Sequence, residues 1–532
     1  MRVMATAFGL LGGLLLTAAT VAHAQTAGPT AAACAALTSL QVPGVALTVN
    51  KAEWIAAGAP IAAARGGGPG PAAVTPSNLP AYCRLDGMID RRVGTGGVGY
   101  GIGFALALPA DWNGRFLFQG GGGLNGSVAA PLGAQVAGDR SGLARGFAVV
   151  STDTGHQGKG GFDASFMRDQ QASLDFAYAA IGRVAEVARR IIGQHYGKPP
   201  DRSYFVGCST GGREGMMMTQ RYPTYFDGVV AGAPAMRTNF SGIGDRWVAV
   251  TLNEVAPKNA QGQPVTRDAL SESDKQTVID GFLNACDAGD GVKDGIVFNT
   301  RACTFSPKAL VCGGAKADGC LSMPQATALE KAFAGPKDSR GRQVYPGFLF
   351  DTGIASTQGI PGLLHGGLNP VGPAFTEIGM NVDQAVDAAL ADPAEGISAT
   401  SRWTSLNTFS GRGGKLLFYH GVSDPWFSAL DTVDYYERLV KSNGGPEQVG
   451  NWSRLFLAPG MGHCGGGPAA IDTFDALTAL VDWVEKGVAP ESLPATGRAF
   501  PGRSRPLCAY PRHAHYKGQG NPEDAASFEC RQ

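Results

Sequence analysis

The stretch Gly207-Cys208-Ser209-Thr210-Gly211 matches the pattern G-x-S-x-G, in which a serine lies between two glycines. Residues 203–206 before it are typical of a strand, and residues 212–222 after it have the spacing of a helix. A serine at a tight, strained turn between a strand and a helix forms a nucleophile elbow. The alternative is a serine that caps a helix after a glycine turn. We interpret Ser209 as a candidate nucleophile.

Strand-like and helix-like segments alternate on both sides of this stretch. Strands are predicted at residues 101–108, 115–118, 146–151, 203–206, 228–231, 415–419 and 453–457, and helices at residues 172–196, 212–222, 431–441 and 471–486. This alternation predicts an α/β fold with a mostly parallel sheet. The Ala-, Gly- and Pro-rich residues 25–80 are expected to be weakly structured.

The alternation fades between residues 233 and 411, where Gly, Pro, Asn and Asp are frequent and four cysteines lie close together. We therefore predict a core in two parts, residues 25–232 and 412–532, interrupted by an insertion at residues 233–411. A segment that leaves one sheet and returns to it is expected to cover the sheet's carboxyl edge, where ligands bind. The insertion is thus predicted to be a lid.

The chain has 532 residues, with 44 Lys and Arg against 44 Asp and Glu. Zero net charge gives no reason to expect nucleic acid as a partner. Residues 1–24 read as a signal peptide, with Arg2, an apolar run over residues 8–21 and the small-x-small site at residues 22–24. No later segment is apolar enough to span a membrane. A secreted or periplasmic protein is expected.

A serine hydroxyl needs a base to take its proton, and α/β-hydrolases supply the partners in the chain order Ser, acid, His. His463 follows the strand at residues 453–457 in a glycine-flanked loop, and His420 is its rival at the end of another strand. Asp424 follows the strand at residues 415–419, whereas Asp431 and Asp434 fall on a predicted helix. Ser209, Asp424 and His463 are therefore the predicted triad.

Stabilising an oxyanion requires two N–H donors aimed at one point. The N–H of Thr210, directly after the serine, is the first candidate. The glycine run at residues 120–123 offers the second, and we favour Gly123, with Gly122 beside it. A flexible turn is the alternative interpretation of this run.

The ten cysteines favour disulfides in an exported protein, and no C-x-x-C pair suggests zinc. Proximity in the sequence suggests four local pairs: Cys34 with Cys83, Cys286 with Cys303, Cys312 with Cys320, and Cys508 with Cys530. Cys208 and Cys464 are then left as partners. Proximity alone does not establish this connectivity.

Three segments together resemble the tannase and feruloyl esterase family: GCSTGGREGMMMTQRYPTYFDGVVAGAPA from residue 207, KLLFYHGVSDPWFSALDTVDYYERL from residue 415 and RLFLAPGMGHCGGGP from residue 454. The resemblance implies an α/β-hydrolase and a bond between Cys208 and Cys464, and it strengthens the four local cysteine pairs. It also implies that His420 and Phe427 line the substrate pocket, to which we also assign Gly122.

Residues 287–296, DAGDGVKDGI, place three carboxylates on a glycine-rich loop. Ca²⁺ prefers oxygen ligands from such loops, although the spacing excludes an EF-hand. An ordinary Asp-Gly turn is the alternative interpretation. The family resemblance implies a structural Ca²⁺ site formed by the side chains of Asp287, Asp290 and Asp294 and the carbonyl groups of Val292 and Ile296.

The leading hypothesis from the sequence is a secreted serine esterase that cleaves small-molecule esters of aromatic, phenolic acids such as gallate or ferulate. One alternative is a terephthalate monoester hydrolase. Another is a secreted binding protein that kept the fold and lost its chemistry. The presence of Ser209, Asp424 and His463 argues against this last hypothesis.

Overall fold

The computed structural model describes residues 30–59, 79–356, 359–361 and 374–532, so the predicted signal peptide lies outside the described residues. The strands are β1 Leu47–Ile55, β2 Tyr82–Val93, β3 Gly99–Pro109, β4 Arg115–Gln119, β5 Ala148–Thr152, β6 Arg202–Cys208, β7 Gly228–Gly232, β8 Lys415–Gly421, β9 Ser453–Ala458, β10 Thr473–Phe474, β11 Ser492–Thr496, β12 Ser504–Cys508, β13 His513–Tyr516 and β14 Phe528–Arg531.

The helices are α1 Ala31–Ala36, α2 Gln170–Leu174, α3 Ala180–Tyr196, α4 Thr210–Arg221, α5 Thr238–Leu252, α6 Glu272–Cys286, α7 Met323–Phe333, α8 Val382–Ala391, α9 Pro393–Ser398, α10 Asn407–Gly411, α11 Ala429–Ser442, α12 Pro446–Gly450 and α13 Ala476–Lys486. A π-helical turn, Asp175–Ala179, joins α2 to α3. No described helix is both long and apolar enough to cross a membrane.

Nine strands form the central sheet in the order β1-β2-β3-β5-β4-β6-β7-β8-β9. The strands from β5 to β9 pair in parallel, while β1, β2, β3 and β5 pair antiparallel. The prediction of a mostly parallel α/β sheet is therefore confirmed. It missed the antiparallel edge that β1 and β2 add.

Successive residues of the central strands pack on opposite faces of the sheet, as the two-residue period of a strand requires. In β4, Phe116 and Phe118 lie in one buried cluster and Leu117 lies in the other. In β6, Phe205 and Tyr204 divide between the same two clusters. Because both faces are covered, these strands are apolar throughout, which made them recognisable in the sequence.

The chain leaves the sheet after β7 and returns to it at β8, although these two strands are parallel neighbours. The intervening residues include α5 to α10. They have a buried cluster of their own, formed by Val248, Leu252, Val278, Leu329, Phe333, Tyr345 and other apolar side chains. This segment is a folded unit that leaves the sheet at the carboxyl end of β7 and returns to it at the amino end of β8.

Candidate active site

Ser209 lies between β6 and α4 with backbone angles of φ 64° and ψ −124°. A positive φ is strained for a residue with a Cβ atom. A Cβ on Gly207 would come within 2.4 Å of the Gly211 carbonyl oxygen, and one on Gly211 within 2.7 Å of the Gly121 carbonyl oxygen. Both flanking glycines are therefore required by the turn, and the geometry is that of a nucleophile elbow.

Asp424 and His463 are joined by a hydrogen bond of 2.7 Å between Oδ2 and Nδ1. Asp424 is buried, and its Oδ1 accepts the N–H groups of Trp426 at 2.9 Å and Phe427 at 3.2 Å. Burial raises the pKa of Asp424, but the charge of His463 and hydrogen bonds from His420 and His463 outweigh it and hold the pKa below its usual value. Asp424 is therefore a stable carboxylate that can orient His463.

His420 differs from its predicted position in the substrate pocket. Its side chain is fully buried, with Nε2 3.0 Å from the Phe427 carbonyl oxygen and 3.3 Å from Asp424 Oδ2. Its Nδ1 lies 2.8 Å from Thr432 Oγ1. Because both neighbours of Nε2 are acceptors, Nε2 carries the proton and Thr432 donates to Nδ1. His420 thus donates a hydrogen bond from its buried Nε2–H to Asp424.

A disulfide joins Cys208 to Cys464, with a Cα–Cα distance of 5.9 Å. One cysteine precedes Ser209 and the other follows His463, so the bond connects the serine turn directly to the histidine loop. The other bonds are Cys34–Cys83, Cys286–Cys303, Cys312–Cys320 and Cys508–Cys530. The expected pairing of all ten cysteines is confirmed.

Ser209 is partly exposed, and so is His463. Within the described residues, no hydrogen bond joins the Ser209 hydroxyl to the His463 ring. Such bonds are often long in a free enzyme and tighten when substrate binds. The disulfide and the Asp424–His463 contact thus bring the three predicted residues to one place.

The glycine loop at residues 120–123 packs against the start of α4. Gly123 has a φ of 57°, and its carbonyl oxygen accepts a hydrogen bond from the Thr210 hydroxyl. Among the described residues, the N–H groups of Gly123 and Thr210 have no acceptor. These two N–H groups are the oxyanion donors predicted from the sequence.

Glu214 supports this loop from inside the protein. Its buried carboxylate accepts the Gly121 N–H at 3.0 Å and the Asn125 Nδ2–H at 2.9 Å. The Gly211 N–H donates to the Gly121 carbonyl oxygen at 3.0 Å, which ties the loop to α4 a second time. Sequence reasoning missed Glu214, although its position one helical turn after Thr210 is a usable signal.

Aromatic rings surround the exposed side of His463. The ring of Phe427 lies 5.3 Å from the His463 ring, that of Trp426 lies 6.3 Å away, and Phe162 stacks on Trp426 at 5.8 Å. Phe427 was predicted at the pocket, whereas Trp426 and Phe162 were not. Trp426 could have been found from its place two residues after Asp424. Phe162 lies in a glycine-rich loop without a recognisable motif.

The predicted calcium loop lies against the C-terminal part of the chain. Asp294 forms an ion pair with Arg505, and Asp287 accepts the N–H groups of Asp294 and Gly295. Asp290 accepts the Phe298 N–H through Oδ2, whereas its buried Oδ1 has no hydrogen-bond partner among the described residues. In the part of the chain that the structure describes, no three His, Cys, Asp or Glu side chains converge as a metal-binding group.

The strained serine between β6 and α4 and the acid and histidine after β8 and β9 define an α/β-hydrolase. The model of the family described as "Tannase and feruloyl esterase" matches residues 93–370 and 373–531. The chain belongs to this family and is a carboxylic ester hydrolase.

Several named proteins are similar over most of the chain. A mono(2-hydroxyethyl) terephthalate hydrolase from Piscinibacter sakaiensis is 38% identical, over 86% of each chain. A probable feruloyl esterase B-2 from Neosartorya fischeri is 32% identical, over 80% of this chain and 82% of its own. The crystal structure of feruloyl esterase B from Aspergillus oryzae superposes with a TM-score of 0.76 at 28% identity, covering 94% of this chain and all of its own.

Proposed function

We propose that this protein hydrolyses esters of aromatic acids through a covalent acyl-enzyme on Ser209. The observation that carries the proposal is the Asp424–His463 hydrogen bond held beside the strained Ser209 turn by the Cys208–Cys464 disulfide. Family membership and the named feruloyl and terephthalate ester hydrolases support the class of substrate.

Asp424 holds the Nδ1–H of His463, which leaves Nε2 as the acceptor for the Ser209 proton. Ser209 Oγ attacks the ester carbonyl, and the oxyanion receives hydrogen bonds from the N–H groups of Gly123 and Thr210. His463 then protonates the leaving alcohol. In the second half, His463 removes a proton from water, and the hydroxide attacks the acyl carbonyl on Ser209. The acyl–Oγ bond then breaks, His463 returns the proton to Ser209 Oγ, and the acid leaves.

The aromatic rings of Phe162, Trp426 and Phe427 favour an aromatic acyl group near His463, because stacked and edge-to-face ring contacts are favourable. Phenolic acids such as ferulate and gallate fit this description. The similarity to a terephthalate monoester hydrolase makes that ester the second candidate substrate.

A panel of feruloyl, galloyl and mono(2-hydroxyethyl) terephthalate esters tests this function. We expect turnover of at least one ester by the native protein, and a loss of about 10⁴-fold or more in Ser209→Ala. Ser165→Ala, which alters a serine on the exposed surface, is the matched control and should keep full activity. Equal turnover by folded Ser209→Ala would contradict the mechanism.

We also propose that Asp287, Asp290 and Asp294, with the carbonyl groups of Val292 and Ile296, bind a structural Ca²⁺ ion. The unpartnered buried oxygen of Asp290 supports this, since buried polar atoms normally have partners. Burial and the nearby charges of Asp294 and Asp287 raise the pKa of Asp290 to about 7. A bound cation would neutralise these charges and is proposed to have no direct role in the chemistry.

Export is proposed on two grounds. The N-terminal sequence has the pattern of a signal peptide, and five disulfides are typical of proteins in an oxidising compartment. Sequencing the N-terminus of protein recovered from the periplasm and from the medium tests this, and a first residue at Gln25 is expected.

A further inference from the structure

Asp351 lies in the segment inserted between β7 and β8, yet its carboxylate contacts loops of the catalytic core. Its Oδ2 accepts a hydrogen bond from Ser423 Oγ at 2.8 Å and another from the Gly460 N–H at 2.7 Å. Its Oδ1 accepts the Thr352 N–H at 2.8 Å. The side chain is 3% exposed, so water does not compete for these bonds.

The two loops that Asp351 joins are those that carry Asp424 and His463. Ser423 directly precedes Asp424, and its N–H donates to the Met461 carbonyl oxygen at 3.0 Å, two residues before His463. The hydroxyl of Ser423 also accepts the Gly353 N–H of the insertion at 3.1 Å. One carboxylate thus links the insertion, the acid loop and the histidine loop.

A carboxylate is the group that this place requires. Both oxygens of Asp351 accept backbone N–H groups, from Gly460 on one side and Thr352 on the other. An amide has one acceptor oxygen, and its NH₂ group can only donate. In either orientation, asparagine would therefore set its NH₂ group against a buried N–H group and leave that N–H without an acceptor.

We propose that Asp351 is a positioning residue for ester hydrolysis. Through Ser423 and Gly460 it holds the acid and histidine loops at the separation that the Asp424–His463 hydrogen bond needs. The insertion then contributes to the rate of the chemical steps. This inference rests on the proposed roles of Asp424 and His463.

Steady-state kinetics of Asp351→Asn and Ser423→Ala on the best ester of the panel test the proposal. Asp351→Asn should lower kcat by about 10- to 100-fold, because a misplacement of about 1 Å has an effect of this size. KM should change by less than about threefold, since no substrate contact is removed. Ser423→Ala should lower kcat less, because the Gly460 contact remains.

Glu395→Gln is the matched control. Glu395 is also a buried carboxylate of the insertion, and it accepts hydrogen bonds from Asn239 at 3.0 Å and Thr238 at 3.3 Å, both within the insertion. Its replacement loosens the insertion without touching the catalytic loops, so kcat should stay within about twofold of the native value.

The double variant Asp351→Asn/Ser423→Ala should lose little more kcat than Asp351→Asn alone, because both changes break the same link. A folded Asp351→Asn protein with native kcat, a rise in KM alone, or an equal loss in Glu395→Gln would overturn the proposal. If Asp351→Asn does not fold, native kcat in Ser423→Ala would overturn it. Turnover by Ser209→Ala would instead show that the proposed function itself is wrong.

Discussion

At the scale of single residues, the surroundings of Asp424 keep it ionised. It accepts hydrogen bonds from His463 and from two backbone N–H groups, and His420 donates from behind. An acid held in this way can fix the tautomer of His463 and stabilise the imidazolium that forms when Ser209 loses its proton.

Replacing Asp424 with Asn should therefore lower kcat by about 10⁴-fold while the protein stays folded, because an amide favours the wrong imidazole tautomer. Asp434→Asn, on the exposed face of α11, is the matched control and should have native kinetics. Nitrophenyl ester assays at saturating substrate measure both. Native kcat in Asp424→Asn would remove this residue from the mechanism.

His156 is a buried residue whose titration is expected to affect stability. It stacks on Phe166 with a ring separation of 3.8 Å, and burial lowers the pKa of His156 from 6.5 to about 4. Between pH 6.5 and pH 4 the unfolded chain takes up a proton here that the folded chain does not. This residue should thus make the folded state less stable as the pH falls through that window.

His156→Phe removes this titration and keeps an aromatic ring. As the pH falls, the variant should become more stable relative to the native protein. The difference between their free energies of unfolding should change by up to about 3 kcal/mol between pH 7 and pH 4. Urea unfolding at several pH values measures it. A difference that does not vary with pH would show that His156 is not buried in its neutral form.

At the scale of structural elements, the Cys208–Cys464 bond connects the end of β6 to the loop after β9. Its removal in Cys208→Ala/Cys464→Ala should let Ser209 and His463 move apart, and kcat should fall by about 100-fold for a shift near 1 Å. Cys312→Ala/Cys320→Ala, which removes a disulfide of the insertion, is the matched control. Circular dichroism at the assay temperature checks folding, and a folded double variant with native kcat would contradict the role of the bond.

The strands and helices of the core could be predicted because the spacing of apolar residues within each one reflects which of its faces are buried. The strand predicted at residues 415–419 is β8, and the helix predicted at residues 212–222 is α4. β1 was missed because its burial alternates weakly and its partner is β2, beyond an Ala-, Gly- and Pro-rich stretch. Pairing across such a distance leaves no local signal.

In the candidate site, too, residues with a local sequence signal could be predicted and residues defined by distant contacts could not. Ser209, Asp424 and His463 follow from chain order and from their places at strand ends. Asp351 could not be predicted, because its role depends on contacts 72 residues away at Ser423 and 109 residues away at Gly460. His420 was assigned to the pocket from the family resemblance, whereas in the structure its side chain is buried and hydrogen-bonded to Thr432.

At the scale of the whole molecule, the insertion is fixed to the core at two distant places. Asp351 binds the catalytic loops, and Asp294 pairs with Arg505 of β12 in the C-terminal part of the chain. The proposed Ca²⁺ site lies at the second of these places. Loss of a bound ion should therefore loosen the docking of the insertion without removing a catalytic group.

Chelation tests this directly. Removing Ca²⁺ with EDTA should lower the melting temperature by several degrees, and added Ca²⁺ should restore it, since binding energy of a structural ion adds to folding energy. Asp290→Asn should melt at one temperature with or without EDTA. A native melting curve that EDTA does not shift, together with no calcium in metal analysis, would contradict the site.

Ser209 is proposed to carry the acyl group of an aromatic ester during turnover. Rapid acid quenching of the enzyme with a feruloyl nitrophenyl ester, followed by peptide mass spectrometry, measures this acyl group directly. We expect a feruloyl mass adduct on the peptide containing Ser209, formed in the first turnover and absent in Ser209→Ala. Hydrolysis that proceeds with no adduct on Ser209, or with the adduct on another residue, would contradict it.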